Sequence, residues 1–184
     1  MIVLTYTGIN RMSRELLLLR HGKADRNIAM EDFDRPLKKR GKRAAESMGE
    51  WLHQQRLMPD WIASSPAKRA ISTAKIVQKA LAVEGLGIMQ DKRLYQEGFE
   101  RLKLVLAECP SEAKRVLLVG HNPDMEDLLI HLAGAYNLPD SDKLLRTASL
   151  ARLVMPDDWT HLEAGCAKLL SITNPKSLPE EWVE

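Results

Sequence analysis

Leu16-Leu17-Leu18-Leu19-Arg20-His21-Gly22 is the stretch that decides how the rest of the chain is read. Four apolar residues bounded by polar ones fit a strand buried on both faces, as in the interior of a parallel sheet. The charged residues begin where such a strand would leave the sheet. In open α/β folds ligands bind outside the carboxyl ends of the strands. Arg20 and His21 therefore stand where chemistry takes place, and Gly22 lets the backbone turn or approach a ligand closely. Three residues are a weak motif, and a strand end carrying a surface Arg and His is an equally open reading of the tripeptide alone.

Outward from this strand, helix and strand patterns alternate. A polar loop, Lys23 to Arg35, leads to Pro36, a favoured first residue of a helix. Leu37, Gly41, Ala44, Ala45, Met48, Trp51 and Leu52 then recur at helical spacing. This predicts a helix from Pro36 to before Pro59, with Lys38, Lys39, Arg40, Lys42 and Arg43 on its solvated face. Trp61-Ile62-Ala63 reads as a short strand, and Ser64-Ser65-Pro66 as a capping turn into the next helix. Ala67, Ala70, Ile71, Ala74, Val77 and Leu81 line one face of that helix, which Gly85 and Gly87 stop. Ile88-Met89 is a candidate strand, and Phe99 to Leu106 has a helical pattern. Val116-Leu117-Leu118-Val119 is a second buried strand, followed by Gly120-His121-Asn122-Pro123 and a helix over Met125 to Leu132. Leu150 to Met155 and Lys168 to Ile172 read as late strands. The alternation predicts a three-layer α/β/α domain with a mostly parallel central sheet.

Composition narrows the class. A chain of 184 residues with 45% hydrophobic and 28% charged residues is globular and of single-domain size. A net charge of +2 gives no reason to invoke nucleic acid or a membrane surface, and no apolar run is long enough to span a bilayer. Cys109 and Cys166 lie far apart without metal-ligand spacing; read as reduced thiols, they suit a cytoplasmic protein. Residues 1–14 have a short apolar start and no basic region before it, unlike a signal peptide. They read as a disordered extension or as an added edge strand at Ile2–Tyr6, with residues 15–184 as the single domain.

If the strands before Arg20-His21-Gly22, Ser64-Ser65-Pro66-Ala67-Lys68-Arg69 and Gly120-His121-Asn122 are parallel neighbours, their carboxyl ends share one edge of the sheet. Two histidines and two arginines then converge. Two guanidiniums in one pocket repel unless an anion joins them, and the planar arginine fork matches phosphate oxygens. Helix N-termini supply further amide donors. The implied ligand is a phosphoryl group. A metal site is disfavoured, because two histidines amid arginines with no carboxylate ligand nearby make a poor place for a cation.

Arg-His-Gly after the first strand resembles the signature of the histidine phosphatase superfamily. The wider pattern is similar to its phosphohistidine phosphatase branch, the SixA-type proteins. The supporting segments are Leu18 to Ala24, Asp34-Arg35-Pro36-Leu37-Lys38-Lys39-Arg40-Gly41, Ser64 to Ala70, Thr73-Ala74 and Val119-Gly120-His121-Asn122-Pro123. They run in the expected order from Glu15 to about Ile172. The resemblance implies a phosphoglycerate mutase-like fold and a metal-independent, cofactor-free phosphatase in which His21 is the nucleophile, forming a phosphohistidine intermediate that water hydrolyses. Arg20, Arg69 and His121 would hold the equatorial oxygens. Gly22 would offer a carbonyl to fix the His21 ring, and would contribute to phosphate binding with Asn122. Asn122 either braces His121 and its loop or serves the turn beside Pro123.

The family also expects an acid, and here the chain departs from the common pattern. Where mutase-like and phosphomonoesterase members carry a glutamate, this chain reads Leu94-Tyr95-Gln96, with Glu97 one residue later. Glu97 is a candidate acid by a one-residue slip; Gln96 cannot donate a proton in the required sense. SixA-type members also lack a clear acid there. The preferred substrate is therefore phosphohistidine in a phosphorylated protein, with inorganic phosphate as product. The alternatives are a small phosphate ester, or a phosphate- or phosphoprotein-binding module without catalysis. Lys23, Asp25, Arg26 and Asp34 are loop charges that could touch substrate or face solvent. His53, His131 and His161 read as structural.

Overall fold

The computed structural model describes residues 14–26 and 29–178; the extension over residues 1–13 and the last six residues lie outside them. The elements run β1 (Arg14–Arg20), α1 (Lys39–Gln54), β2 (Trp61–Ser64), α2 (Lys68–Ala80), β3 (Ile88–Gln90), α3 (Phe99–Ala107), β4 (Arg115–Gly120), α4 (Asp124–Ala133), β5 (Leu150–Met155) and β6 (Lys168–Thr173). They build one six-stranded sheet in the order β3-β2-β4-β1-β5-β6. β3, β2, β4 and β1 are parallel, while β5 pairs antiparallel with β1, and β6 antiparallel with β5.

The leucine run is explained by its place. β1 lies between β4 and β5, and Leu16 to Leu19 are all fully buried. Successive side chains point to opposite faces. Leu16 and Leu18 join Val116 and Leu118 in a core under α3 and α4. Leu17 and Leu19 join Leu117 and Val119 in a second core with Ala45, Met48 and Leu52 of α1 and Ala70, Ala74 and Val77 of α2. Helices thus cover both faces, as expected. Among the described residues no helix is long and apolar enough to cross a membrane.

Two expected boundaries shift. The first helix begins at Lys39 rather than Pro36. Residues 36–38 are instead tied across to the loop after His21: Leu37 bridges Ala24, the Asp25 amide donates to the Pro36 carbonyl and the Lys38 amide to the Lys23 carbonyl. These bonds bridge a gap in sequence and outweigh the local preference of proline for a first turn. α2 ends at Ala80, short of Gly85, through a turn in which Ala82 has φ 55°.

The register places the site. Arg20 pairs with Gly120, and Ser64 with Val119. The residues that follow, His21, His121 and Ser65, therefore leave the sheet side by side at its carboxyl edge. Gly22 is pressed against α1: a Cβ there would lie 2.6 Å from the Gly41 carbonyl oxygen, so the loop that carries His21 and the helix meet at a pair of glycines.

Candidate active site

Each functional side chain is presented by the end of a sheet or helix element. Arg20 closes β1, His21 follows it, His121 follows β4, and Arg69 sits in the first turn of α2. The His21 and His121 rings are 4.9 Å apart between centroids and tilted by 52°. All four residues, with Asn122, line one cavity of about 800 Å³.

His21 is held in one protonation form. Its Nδ1 lies 2.7 Å from the Gly22 carbonyl oxygen, which can only accept, so the ring proton sits on Nδ1. Its Nε2 accepts from Arg69 Nε at 3.3 Å and keeps its lone pair. Burial first, then the Arg69 and Arg20 charges, push the His21 pKa down to about 4 despite the Gly22 carbonyl. At neutral pH His21 is an uncharged imidazole with Nε2 unprotonated.

His121 is neutral for similar reasons. Burial first, then the His21 and Arg69 charges, bring its pKa down to about 2. Its Nε2 lies 2.8 Å from Ser65 Oγ, and Ser65 Oγ also accepts the Ala67 amide at 3.2 Å. His121 Nε2 is the one acceptor among the described residues within reach of the Ser65 hydroxyl proton, and a hydroxyl that donates there places the imidazole proton on Nδ1. That Nδ1 is buried and has no partner among the described residues, as is Arg20 Nε. Both nitrogens are then buried N–H donors on residues that line the cavity. Arg20 is oriented by the bond from Nη1 to the Leu145 carbonyl at 2.7 Å, and Asn122 Nδ2 donates to that same carbonyl at 3.0 Å. Asn122 thus braces the loop that also holds Arg20.

Gly22 serves through its carbonyl rather than its amide. The amide donates to Thr73 Oγ1 at 3.0 Å, and Thr73 Oγ1 donates to the Arg69 carbonyl at 2.7 Å. Thr73 therefore ties the loop that carries His21 to the first turn of α2.

Three further residues belong to the site. Asp32 accepts from Arg69 Nη2 at 2.8 Å through Oδ2 and from Nη1 through its carbonyl. Tyr95 Oη donates to the same Oδ2 at 2.9 Å, and the Tyr95 ring stands edge-on to His121 at 5.2 Å. Ser65 orients His121. The sequence offered only a polar loop, a Tyr in the acid segment and a Ser read as a helix cap. Lys23 and Arg26 line the cavity, as do Arg40 and Arg43, whereas Asp34 is exposed.

Gln96 lines the cavity, and Glu97, the candidate acid, does not. Gln96 adopts φ 56°, an uncommon conformation for a non-glycine residue that turns the chain here, and Glu97 is exposed. Asp32 is the carboxylate on the cavity wall. Although burial opposes it, the Tyr95 hydroxyl and the Arg69 guanidinium hold its pKa below the usual value, so it is ionised and has no proton to give. No group of three or more His, Cys, Asp or Glu suited to a metal ion occurs among the described residues.

The family model for the histidine phosphatase superfamily (branch 1) matches residues 16–96, which include Arg20, His21 and Arg69. The SixA structure from Agrobacterium tumefaciens, a candidate phosphohistidine phosphatase, superposes with a TM-score of 0.72 at 31% identity, covering 89% of this chain and 99% of that one. The chain belongs to the histidine phosphatase superfamily. A SixA structure from Nakamurella multipartitia, of the same candidate activity, has a TM-score of 0.74 at 27% identity over 89% of this chain and 96% of its own. An uncharacterized protein of Mycobacterium tuberculosis is 28% identical over 167 residues, 86% of this chain and all of its own. As a member of this superfamily, the chain has the fold that SixA proteins and phosphoglycerate mutases share.

Proposed function

We propose that this histidine phosphatase hydrolyses phosphohistidine in proteins through a covalent phosphohistidine on His21. The carrying observation is a cavity that holds a neutral histidine with an unprotonated Nε2 among arginine and histidine donors, but no protonated carboxylic acid. His21 Nε2 attacks phosphorus in line, and the bond from phosphorus to the substrate's imidazole nitrogen breaks. Arg20, Arg69 and His121 Nδ1–H hold the oxygens as charge spreads over them. Arg69 reaches them by leaving Asp32 in part, or by using Nε, which already faces His21. The departing imidazole carries a proton or takes one from water. Water then attacks the phosphorus on His21, releasing inorganic phosphate and restoring the neutral ring.

The missing acid supports the choice of substrate. An alkoxide leaves badly unless protonated, and a positioned acid is worth roughly 10²–10⁴ in rate. A phosphorylated imidazole has no such need. The test is a panel of kcat/KM values for a phosphohistidine protein, an aryl phosphate and an alkyl phosphate. We expect that order, with the alkyl ester slower by at least about 10², and Glu97→Gln changing none of the three by more than a small factor. Efficient alkyl ester hydrolysis that Glu97→Gln abolishes would make the protein a general phosphomonoesterase.

A further inference from the structure

Beyond the phosphoryl site the cavity continues along α1. Arg40, Arg43, Ala44 and Ser47, one helical stripe, line it, and the turn Asn174-Pro175-Lys176 after β6 faces them. From Gly41, packed against Gly22, to Ser47 the helix rises roughly 9 Å, so this arm leads well away from His21. Its charge is one-sided. Arg40, Arg43 and Lys176 are exposed and have no ion pair or side-chain hydrogen bond among the described residues. Lys143 and Arg146 add two more cations on the wall. Against them stands the Asp32 carboxylate, already taken by Arg69, Arg35 and Tyr95. In a chain of net charge +2, this concentration of like charge at one mouth is a local feature and not a reflection of composition. The arm is also held in shape: Asn174 Oδ1 accepts the Lys176 amide at 3.0 Å, and Ser47 Oγ donates to the Arg43 carbonyl at 3.0 Å.

The geometry points to a second anion-binding subsite, built by Arg40, Arg43 and Lys176, that receives acidic side chains flanking the phosphohistidine of a protein substrate; this rests on the phosphohistidine reading above. Three features favour a protein over a small polyanion. Small-ligand pockets bury most of their ligand between apolar and aromatic walls, yet Ala44 and Pro175 are the apolar residues of this arm. The cations are exposed, so whatever they meet stays partly in water, as at the polar rim of a protein interface. Unpaired cations at such a rim steer and orient an acidic partner at little desolvation cost.

The test uses two synthetic phosphohistidine peptides of equal length, one flanked by Asp and Glu and the other by Asn and Gln. For the wild-type protein, kcat/KM should favour the acidic peptide by roughly tenfold, as a few exposed charge pairs allow, chiefly through KM, and the preference should shrink as salt is raised. In Arg40→Gln/Arg43→Gln, and separately in Lys176→Gln on the other wall, the ratio between the peptides should move towards one, with melting curves confirming that both variants fold. Equal turnover of the two peptides by the wild type would overturn the subsite and leave the phosphohistidine reading standing. Turnover of neither peptide, with small esters cleaved, would overturn that reading and the subsite with it. Tripolyphosphate cleaved faster than the acidic peptide, with dependence on Arg40 and Arg43, would assign the arm to a small polyanion and overturn the protein partner.

Discussion

A histidine that attacks phosphorus has to be uncharged, to carry its proton on the far nitrogen, and to be held still. Gly22 supplies the second condition and burial beside two arginines the first. Both have a cost that can be measured. The folded state keeps His21 and His121 neutral, whereas in the unfolded chain histidine takes up a proton near pH 6.5. Below that value the unfolded state binds more protons, so stability should fall as pH drops from about 6.5 towards 4. Denaturant titrations at pH 7 and pH 5 check this, and His21→Ala should show the shallower dependence. Arg69→Ala should lower kcat by roughly 10²–10³, the range for losing one preorganised donor. Ser65→Ala should also lower it, by freeing the His121 ring to place its proton on Nε2. Arg20, His21, Arg69 and His121 could be read from the sequence because each follows a recognisable strand or opens a recognisable helix. Asp32, Tyr95 and Ser65 could not: they act through partners 37 to 63 positions away, and no local pattern records such pairings.

At the scale of elements, the contact that matters is Gly22 against Gly41. A methyl group at Gly41 would be driven into the Lys23 backbone, and the loop holding His21 or the start of α1 would have to move. Gly41→Ala should therefore lower stability by about 1–3 kcal/mol, as overpacking does, and lower kcat as well, which thermal melts and a turnover assay on the same preparation would record. β1 and β4 were legible because strands buried on both faces are apolar without interruption. The start of α1 was not, because the bonds of residues 36–38 to Lys23 and Asp25 replace the first helical turn. For Arg40 and Arg43 the periodicity correctly gave an outward face, but it cannot say that a turn after β6 lies across from that face.

For the whole molecule, one sheet brings three strand ends to a single edge, and that edge gathers positive charge. An anion that joins Arg20, Arg69 and His121 binds only the folded state and should raise its stability. At a hundredfold excess over Kd the gain is about 2.7 kcal/mol. Vanadate or phosphate should thus raise the melting temperature of the wild-type protein in a concentration-dependent way, and of Arg20→Ala and Arg69→Ala much less. An equal shift in those variants would place the anion elsewhere.

In the proposed reaction the phosphoryl group passes through His21. Mixing the protein with a labelled phosphohistidine substrate and quenching in alkali within a turnover tests it directly. The expected result is phosphate that is stable to base, lost in acid and carried by the peptide containing His21, and none on His21→Ala. Labelled phosphate on a different residue, or turnover by His21→Ala comparable with the wild type, would contradict it.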